Sequence, residues 1–272
     1  MRHPLKKYTF FIAIIALFVL TASFSASAAQ SNINRQQLRE ELIKLLKEEP
    51  DLVLNILREN SEVVLDVAQQ GADQRRLTSL TTQWKKDMTQ PKSAKLVGRP
   101  TLGSDKAPVT IVAFTDFTCM YCQQGEKTLQ NIYESYNGKV RIVYKSLPMA
   151  THPGSVEAAQ FMLAAWQQDK TKAWKLFHNL FNNRDRILAN DGHAFMRSAA
   201  MEAGLNMTKL LDDAKSSKIQ QLLDEDEQDA DILKFQGTPS FMINNITIRG
   251  ALQENLFRQA VDMALAEAEK KK

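Results

Sequence analysis

Two cysteines, Cys119 and Cys122, are the only ones in the 272-residue sequence. They stand at C-x-x-C spacing in the run FTDFTCMYC, residues 114–122. A β-branched apolar run, residues 109–114, precedes them, and a helix-like run continues from about Gln123 to Tyr136. On a helix start, two sulfurs at this spacing can close a small disulfide ring. The first sulfur then faces the unpaired N–H groups of the first turn, which together with the helix dipole favour a thiolate over a thiol. A thiolate is the species that attacks a disulfide. The order strand, C-x-x-C, helix is therefore a redox device in outline.

Two plainer roles fit the residues less well. A zinc site takes three or four protein ligands, and His3, His152, His178 and His193 show no paired ligand spacing with the cysteines. An inert structural disulfide here would close a very short loop and constrain the unfolded chain little. The reading is a redox pair that acts as its own cofactor, with no metal and no nucleotide.

The first residues read as a leader. Arg2, Lys6 and Lys7 form a basic start, residues 10–20 an apolar run, and Ala26-Ser27-Ala28 a small-residue cleavage pattern. The apolar run is shorter than the roughly 20 residues of a membrane span. Residues 1–28 are thus expected to be a signal peptide and the protein to be exported, to a periplasm or cell envelope. Export implies an oxidising compartment where disulfides form and need correcting. Of the formal charge of +4, the leader supplies three basic residues and no acid; 35 basic residues less those three leave 32 against 31 acidic. A nearly neutral mature chain gives no electrostatic basis for nucleic-acid binding.

Residues 29–90 differ from the rest of the mature chain. Leu38, Leu42, Leu45 and Leu46 recur at helical spacing, Pro50 interrupts, and Asp51 is placed to cap the next short helix. A longer pattern opens at Ser61, with Gly71 as a possible bend. Its later apolar face, Leu77, Leu80, Trp84 and Met88, is spaced like a helix–helix seam. As one helix, residues 61–88 would be about 42 Å long. So short a helical unit must bury its stripes elsewhere, as a cap packed on the main domain or by self-association; the second is the favoured reading, so residues 32–88 are expected to hold a homo-oligomer, a dimer or trimer.

After a linker at residues 89–94, residues 95–103 suggest a short edge strand, ended by Pro100 and Gly103. The central strand and the cysteines come next, then an alternating β-branched strand at residues 139–145. Residues 155–181 read as one helical stretch, with more helix to about Phe235; the acidic run at residues 224–231 reads as a solvated helix face. His178 and His193, within this block, read as surface or packing residues. Two short strands, residues 240–244 and 246–248, surround an Asn244-Asn245 turn. A final helix covers about residues 252–269.

This order resembles a thioredoxin fold carrying an inserted helical domain, as in exported DsbA-like thiol–disulfide oxidoreductases. Four stretches carry the resemblance: residues 107–122 around the cysteines, His152-Pro153 with the Ala-rich run behind it, residues 174–181, and Gly237-Thr238-Pro239-Ser240-Phe241. It covers about residues 95–272. The fold it implies is α/β and thioredoxin-like over residues 91–272, with a helical insertion at about 152–235, preceded by an all-helical N-terminal segment. Residues 35–88 resemble, loosely, the oligomerisation segments of some relatives.

The resemblance implies roles as well. Cys119 attacks or is attacked, Cys122 resolves the mixed disulfide, and Pro239 lies beside them, cis after Thr238, whose backbone pairs with an extended client peptide. Asp116, Met120 and Tyr121 support the pair, Asp116 through a local cap or as a polar neighbour. The partners implied are exported clients with cysteines and a membrane redox protein that recharges the pair. Two departures stand out. Met120-Tyr121 replaces the Pro-His of strongly oxidising relatives, and Tyr121 cannot supply a histidine's charge, which implies a milder oxidant. Ala113 stands where many relatives carry a buried acid. Oxidase and isomerase both remain open. The rival readings are an exported chaperone or adhesin-like binding module with an idle fold, and a glutathione transferase, against which a full C-x-x-C argues.

Overall fold

The computed structural model describes residues 34–270; the expected signal peptide, residues 1–28, lies outside them. The chain divides into two compact units between Gly71 and Ala72. In the first, α1 (Arg35–Glu48) and α2 (Pro50–Glu59) follow the leucine spacing. Asn34 caps α1 by accepting a hydrogen bond from the Gln36 N–H at 3.1 Å. Pro50 opens α2, where its missing N–H is no loss. Asp51 consequently sits inside the first turn and does not cap the helix. Leu38, Leu42, Leu54, Ile56 and Val63 are exposed.

The division falls within α3 (Ser61–Met88), which is helical throughout and contains Gly71. The helix continues through Gly71, since a helix-interior glycine weakens a helix by about 1 kcal/mol without breaking it. In the second unit the end of α3 belongs to the main core. Trp84 is 0% exposed, and Leu80 and Met88 pack against the same cluster. Asp87 accepts hydrogen bonds from the Thr247 N–H and hydroxyl at 3.0 and 2.7 Å. The expected intermolecular seam is therefore corrected at these residues: the chain's own domain covers them. An apolar stripe specifies burial and leaves the covering surface open.

Among the described residues, five strands form one sheet in the order β1-β3-β2-β4-β5. They are β1 (Thr101–Leu102), β2 (Val109–Thr115), β3 (Val140–Ser146), β4 (Ser240–Ile243) and β5 (Ile246–Arg249). β2 and β3 are parallel, and the other pairs are antiparallel. The edge strand is shorter than expected and starts only after Pro100, because proline cannot donate to a ladder. Side chains alternate across the sheet. Ile111 and Ala113 join the large core with Ile142, Tyr144 and Phe241, while Val112 and Phe114 join a smaller one with Leu233, Phe235 and Met242. Burial on both faces is why β2 reads as an unbroken apolar run.

α4 (Met120–Ser135) connects β2 to β3. Between β3 and β4 the chain forms α5 (Ser155–Gln168), α6 (Lys170–Asn182), α7 (Arg184–Ile187), α8 (Gly192–Glu202), α9 (Met207–Ala214) and α10 (Ser217–Ile232). The single helical stretch expected over 155–181 is two helices, because Asp169 caps α6 by accepting from the Lys172 N–H at 3.0 Å. Asn244 makes the hairpin turn at φ +48°, and α11 (Glu254–Lys270) is the last helix.

The acidic run is solvated at Asp224, Glu227 and Asp231, as its composition suggests, but not throughout. Asp226 and Asp229 on α10 are buried. Asp226 accepts from Arg99 Nε and contacts Lys145 Nζ, both at 2.9 Å, and Asp229 contacts Lys145 Nζ at 2.5 Å. A spacing of three residues puts both carboxylates on one helix face. Here that face points inward, to cations supplied from distant sequence.

Candidate redox site

Cys119 is the N-cap of α4, extended at φ −87° and ψ 121°. Helix starts leave N–H groups without intrahelical partners, and the Cys119 sulfur stands beside them. It is half-buried and lies 3.5 Å from the Thr238 carbonyl oxygen, to which the thiol donates. Cys122, in the first turn of α4, is 2% exposed, and the Asp116 N–H donates to its sulfur at 3.4 Å.

Their acidities separate. The Cys119 thiol is lowered from 9.0 to about 5, chiefly by a hydrogen bond from the Cys122 side chain; burial opposes this, and backbone groups of Cys122 and Tyr121 and the Thr238 side chain add to it. The Cys122 thiol is pushed up, first by burial and then by the adjacent Cys119 sulfur. One sulfur is thus a half-exposed thiolate near neutral pH, and the other a buried thiol.

Thr238 and Pro239 come from the loop before β4, and the peptide bond between them is cis. Thr238 is half-buried and Pro239 buried. Gly125 on α4 makes this approach possible. A Cβ there would lie 3.2 Å from the Phe241 ring and 3.6 Å from Pro239. The residue types around Gly125 give no sign of this contact, since its neighbours in sequence are polar.

Asp116 is 2% exposed and organises the turn into the helix. Its Oδ1 accepts from the Thr118 N–H at 2.8 Å and the Thr118 hydroxyl at 2.7 Å, and its Oδ2 from the Met149 N–H at 3.1 Å. Two residues not singled out as site residues grip the same turn. His152 Nδ1 is 3.2 Å from the Thr118 hydroxyl and 3.6 Å from Asp116 Oδ2, and Arg184 Nε donates to the Thr118 carbonyl at 2.8 Å. Met120 and Tyr121 are 49% and 54% exposed and contribute surface beside Cys119. Phe117 packs on Phe177 and Phe181 of the insertion. The structure thus brings Cys119, Cys122, Thr238, Pro239 and Asp116 together, with Met120 and Tyr121 on the rim. Among the described residues, no cluster of His, Cys, Asp and Glu could hold a metal ion.

Glu126 is a further site-proximal group that sequence reasoning missed. It is 7% exposed, one helical turn beyond Cys122, and burial raises its carboxyl to about 8. The only sequence signal was its spacing of four from Cys122, which places both on one face of a helix.

Known proteins similar to this chain agree with the geometry. The Thioredoxin family model matches residues 95–263. The Na(+)/H(+) antiporter NhaA 1 of Mycolicibacterium gilvum is 26% identical over 151 residues, 54% of this chain but 24% of that protein. The chain thus spans about a quarter of the length of the antiporter relatives it matches. The probable disulfide bond formation protein D of Bacillus cereus is 28% identical over 152 residues, 53% of this chain and 68% of that protein. A periplasmic thioredoxin-like protein from Salmonella enterica serovar Typhimurium superposes with a TM-score of 0.55 at 27% identity, over 62% of this chain and 91% of that one. Proteus mirabilis ScsC, in a transitional conformation, shares the fold over 85% of this chain and 97% of its own, with a TM-score of 0.54 at 20% identity. A family match over most of the second unit, on a sheet that brings a C-x-x-C helix start against a Thr-Pro loop, makes this chain a DsbA-like member of the thioredoxin family.

Proposed function

We propose that this protein is a thiol–disulfide oxidoreductase that forms or isomerises disulfide bonds in exported proteins through Cys119 and Cys122. The observation that carries the reading is the split between the two sulfurs: Cys119 is half-exposed and lowered to about 5, and Cys122 is buried and pushed up. A thiolate attacks and a protected thiol resolves. In this reading Cys119 forms the mixed disulfide with a client cysteine, and Cys122 releases it. In the same reading the Thr238 backbone pairs with an extended client segment, which its carbonyl's distance of 3.5 Å from the Cys119 sulfur supports. Asp116 holds the turn, and Met120 and Tyr121 shape the surface the client meets, with the buried Pro239 behind it. The cysteine pair is the only cofactor required, and a membrane redox partner resets it.

The exposed leucines and valines of α1, α2 and the start of α3 support self-association through residues 32–88, as a dimer or trimer. Several redox sites around one client would suit isomerisation, where a wrong bond is held and attacked again. The test is refolding of a scrambled multi-disulfide client by the full-length protein, with mass by light scattering. Recovery of native client, absent in Cys119→Ser, is expected from an oligomer. Failure of the wild type to trap any client on Cys119, with Cys122→Ser as the trapping variant, would overturn the enzymatic reading in favour of a binding module.

A further inference from the structure

The turn that presents Cys119 is held from outside its own strand and helix. Arg184 Nε, at the start of α7, donates to the Thr118 carbonyl at 2.8 Å. Gln123 Nε2, on α4, donates to the Phe181 carbonyl at 2.7 Å. Phe181 and Arg184 stand three residues apart, where α6 gives way to α7. One bond lands on the residue before Cys119, and the other leaves from the residue after Cys122. The same short junction of the insertion therefore grips both ends of the C-x-x-C. Phe117 adds an apolar contact, its ring centroid 4.6 Å from that of Phe181.

The Thr118 bond bears most directly on the nucleophile. The peptide plane between Thr118 and Cys119 has two polar groups, and both are engaged. Its carbonyl accepts from Arg184, and its N–H, that of Cys119, donates to the Asp116 carbonyl at 3.1 Å. Beyond Cys119, the next plane is fixed as well: the Cys119 carbonyl accepts from the Cys122 and Gln123 N–H groups at 3.1 and 3.2 Å. A residue has only two soft backbone torsions, so two fixed planes decide where the Cys119 Cβ points. That direction keeps the sulfur beside the Tyr121 and Cys122 backbone groups, which help to hold it as a thiolate. Without Arg184 the first plane is held at its N–H alone and is free to swing.

Arg184 also brings a charge that the carbonyl does not require, since a neutral donor would satisfy it. Its guanidinium meets the Asp185 carboxylate, but Asp185 is 91% exposed, and water screens such a pair. The Arg184 side chain itself is 26% exposed. Covalent reach from the Thr118 oxygen through the Cys119 backbone leaves Nε no more than about 8–9 Å from the sulfur. The other charged or titratable groups on this turn are Asp116 and His152, whose Nδ1 lies 3.6 Å from the Asp116 carboxylate. A buried carboxylate there disfavours a second negative charge nearby. Arg184 is a permanent cation set against it, where Met120 and Tyr121 supply none.

We propose that Arg184 is a positioning residue for Cys119: through the Thr118 carbonyl it fixes the turn that presents the sulfur, and its charge favours the reduced pair over the disulfide. The proposal rests on the oxidoreductase reading above. In a glutathione buffer the Cys119 thiolate and Cys122 thiol react with one glutathione disulfide. The Cys119–Cys122 bond forms, the glutathione S–S bond breaks, and the two electrons pass to glutathione, which leaves as one thiol and one thiolate; the thiolate takes its proton from water. A cation beside Cys119 stabilises the starting side of this exchange. The pair is then harder to oxidise, and a stronger oxidant once it has been oxidised.

The experiment compares full-length wild type with Arg184→Met and Arg184→Lys by thiolate absorbance against pH, by equilibrium in glutathione buffer, and by urea unfolding. Arg184→Met should raise the Cys119 titration midpoint by about half a pH unit. It should move the glutathione equilibrium about threefold toward the disulfide, or about 15 mV more reducing. Arg184→Lys should recover most of both changes, and no recovery would overturn the part assigned to charge. A folded Arg184→Met with wild-type titration and equilibrium, altered only in its urea midpoint, would overturn the proposal and leave the oxidoreductase reading standing. A wild-type pair that does not exchange with glutathione disulfide would overturn that reading and this proposal with it. Should Arg184→Met not fold, the Arg184 Nε–H resonance of the wild type decides. A shift that follows the Cys119 titration supports the proposal, and a resonance flat across it overturns the proposal.

Discussion

Cys119 owes its acidity first to Cys122, and that dependence can be dissected at one atom. Its thiol lies at about 5 against an ordinary 9.0, and the largest cause is the hydrogen bond from the Cys122 side chain. A hydrogen bond to a charged group is worth about 1.5–3 kcal/mol. At about 1.4 kcal/mol per pKa unit, losing it should raise Cys119 by roughly one to two units. Cys122→Ala removes the donor and should bring Cys119 to between about 6 and 7. Cys122→Ser keeps a hydroxyl donor in the same place and should hold Cys119 near about 5. The N–H groups at the start of α4 remain in both variants, so neither should reach the free value. The assay is thiolate absorbance against pH, checked by the pH dependence of alkylation. Equal values in the two variants would refute the hydrogen-bond origin. Titration near 9.0 in Cys122→Ser would refute the nucleophile assignment itself. The same shift has a stability consequence with a definite sign. Because the folded value lies below the unfolded one, the native dithiol binds fewer protons than the unfolded chain between them. Cys119 therefore contributes stability that is fully present above about 9 and is lost as pH falls through about 5.

Glu126 works in the opposite sense: its folded value of about 8 exceeds the ordinary 4.5, so its penalty is absent below 4.5 and grows until pH passes about 8. Denaturant unfolding of Glu126→Gln should show a gain of a few kcal/mol at pH 8 and none at pH 4; an unchanged pH slope would contradict the burial of its carboxyl. Lys145→Met should cost about 3–5 kcal/mol, because Asp226 and Asp229 would keep their burial and lose their shared cation. A loss below 1 kcal/mol in urea unfolding would mean the pair is not buried in solution. Trp84→Ala should cost about 3–5 kcal/mol in the same experiment. A near-neutral effect would detach the end of α3 from the core.

What was legible in the sequence carries its signal locally. The C-x-x-C announces itself by type and spacing, β2 by an unbroken apolar run, and the hairpin by Asn244 at its turn. The thioredoxin-like order emerges from these once Thr238-Pro239 is set before the last strands. What was not legible depends on partners far along the chain. Asp226 and Asp229 looked solvated because Arg99 and Lys145, which hold them, lie in separate stretches. Trp84 fitted a helix seam equally well, since periodicity records burial and not the covering surface. Arg184 and His152 reach the Thr118 turn from the insertion, across separations of 66 and 34 residues. Gly125 and Glu126 sit among polar neighbours in a half-exposed helix, where nothing but the phase relative to Cys122 marks them as inward.

β3 offers an internal comparison for reading buried acids in this fold. Tyr144 and Lys145 are consecutive, so they point to opposite faces of the sheet, and each meets buried carboxyls. On the Lys145 side, Asp226 and Asp229 are met by cations: Lys145 at 2.9 and 2.5 Å, with Arg99 adding a second contact to Asp226 at 2.9 Å. Asp226 is raised by burial, but Lys145 and Arg99 act against that rise. The same cluster ties the Lys95–Arg99 stretch to the sheet, since Lys145 Nζ also donates to the Lys95 carbonyl at 2.9 Å. Charge there is neutralised and geometry is fixed, which is a structural task. On the Tyr144 side, Glu126 meets a hydroxyl and an amide but no cation, and one oxygen is left bare. A fold that supplies two cations to the acids on one face and none to the acid on the other has not neutralised Glu126 for stability. The two faces of one sheet thus treat their buried acids differently, with cations on the Lys145 side and an unpartnered carboxyl oxygen on the Tyr144 side.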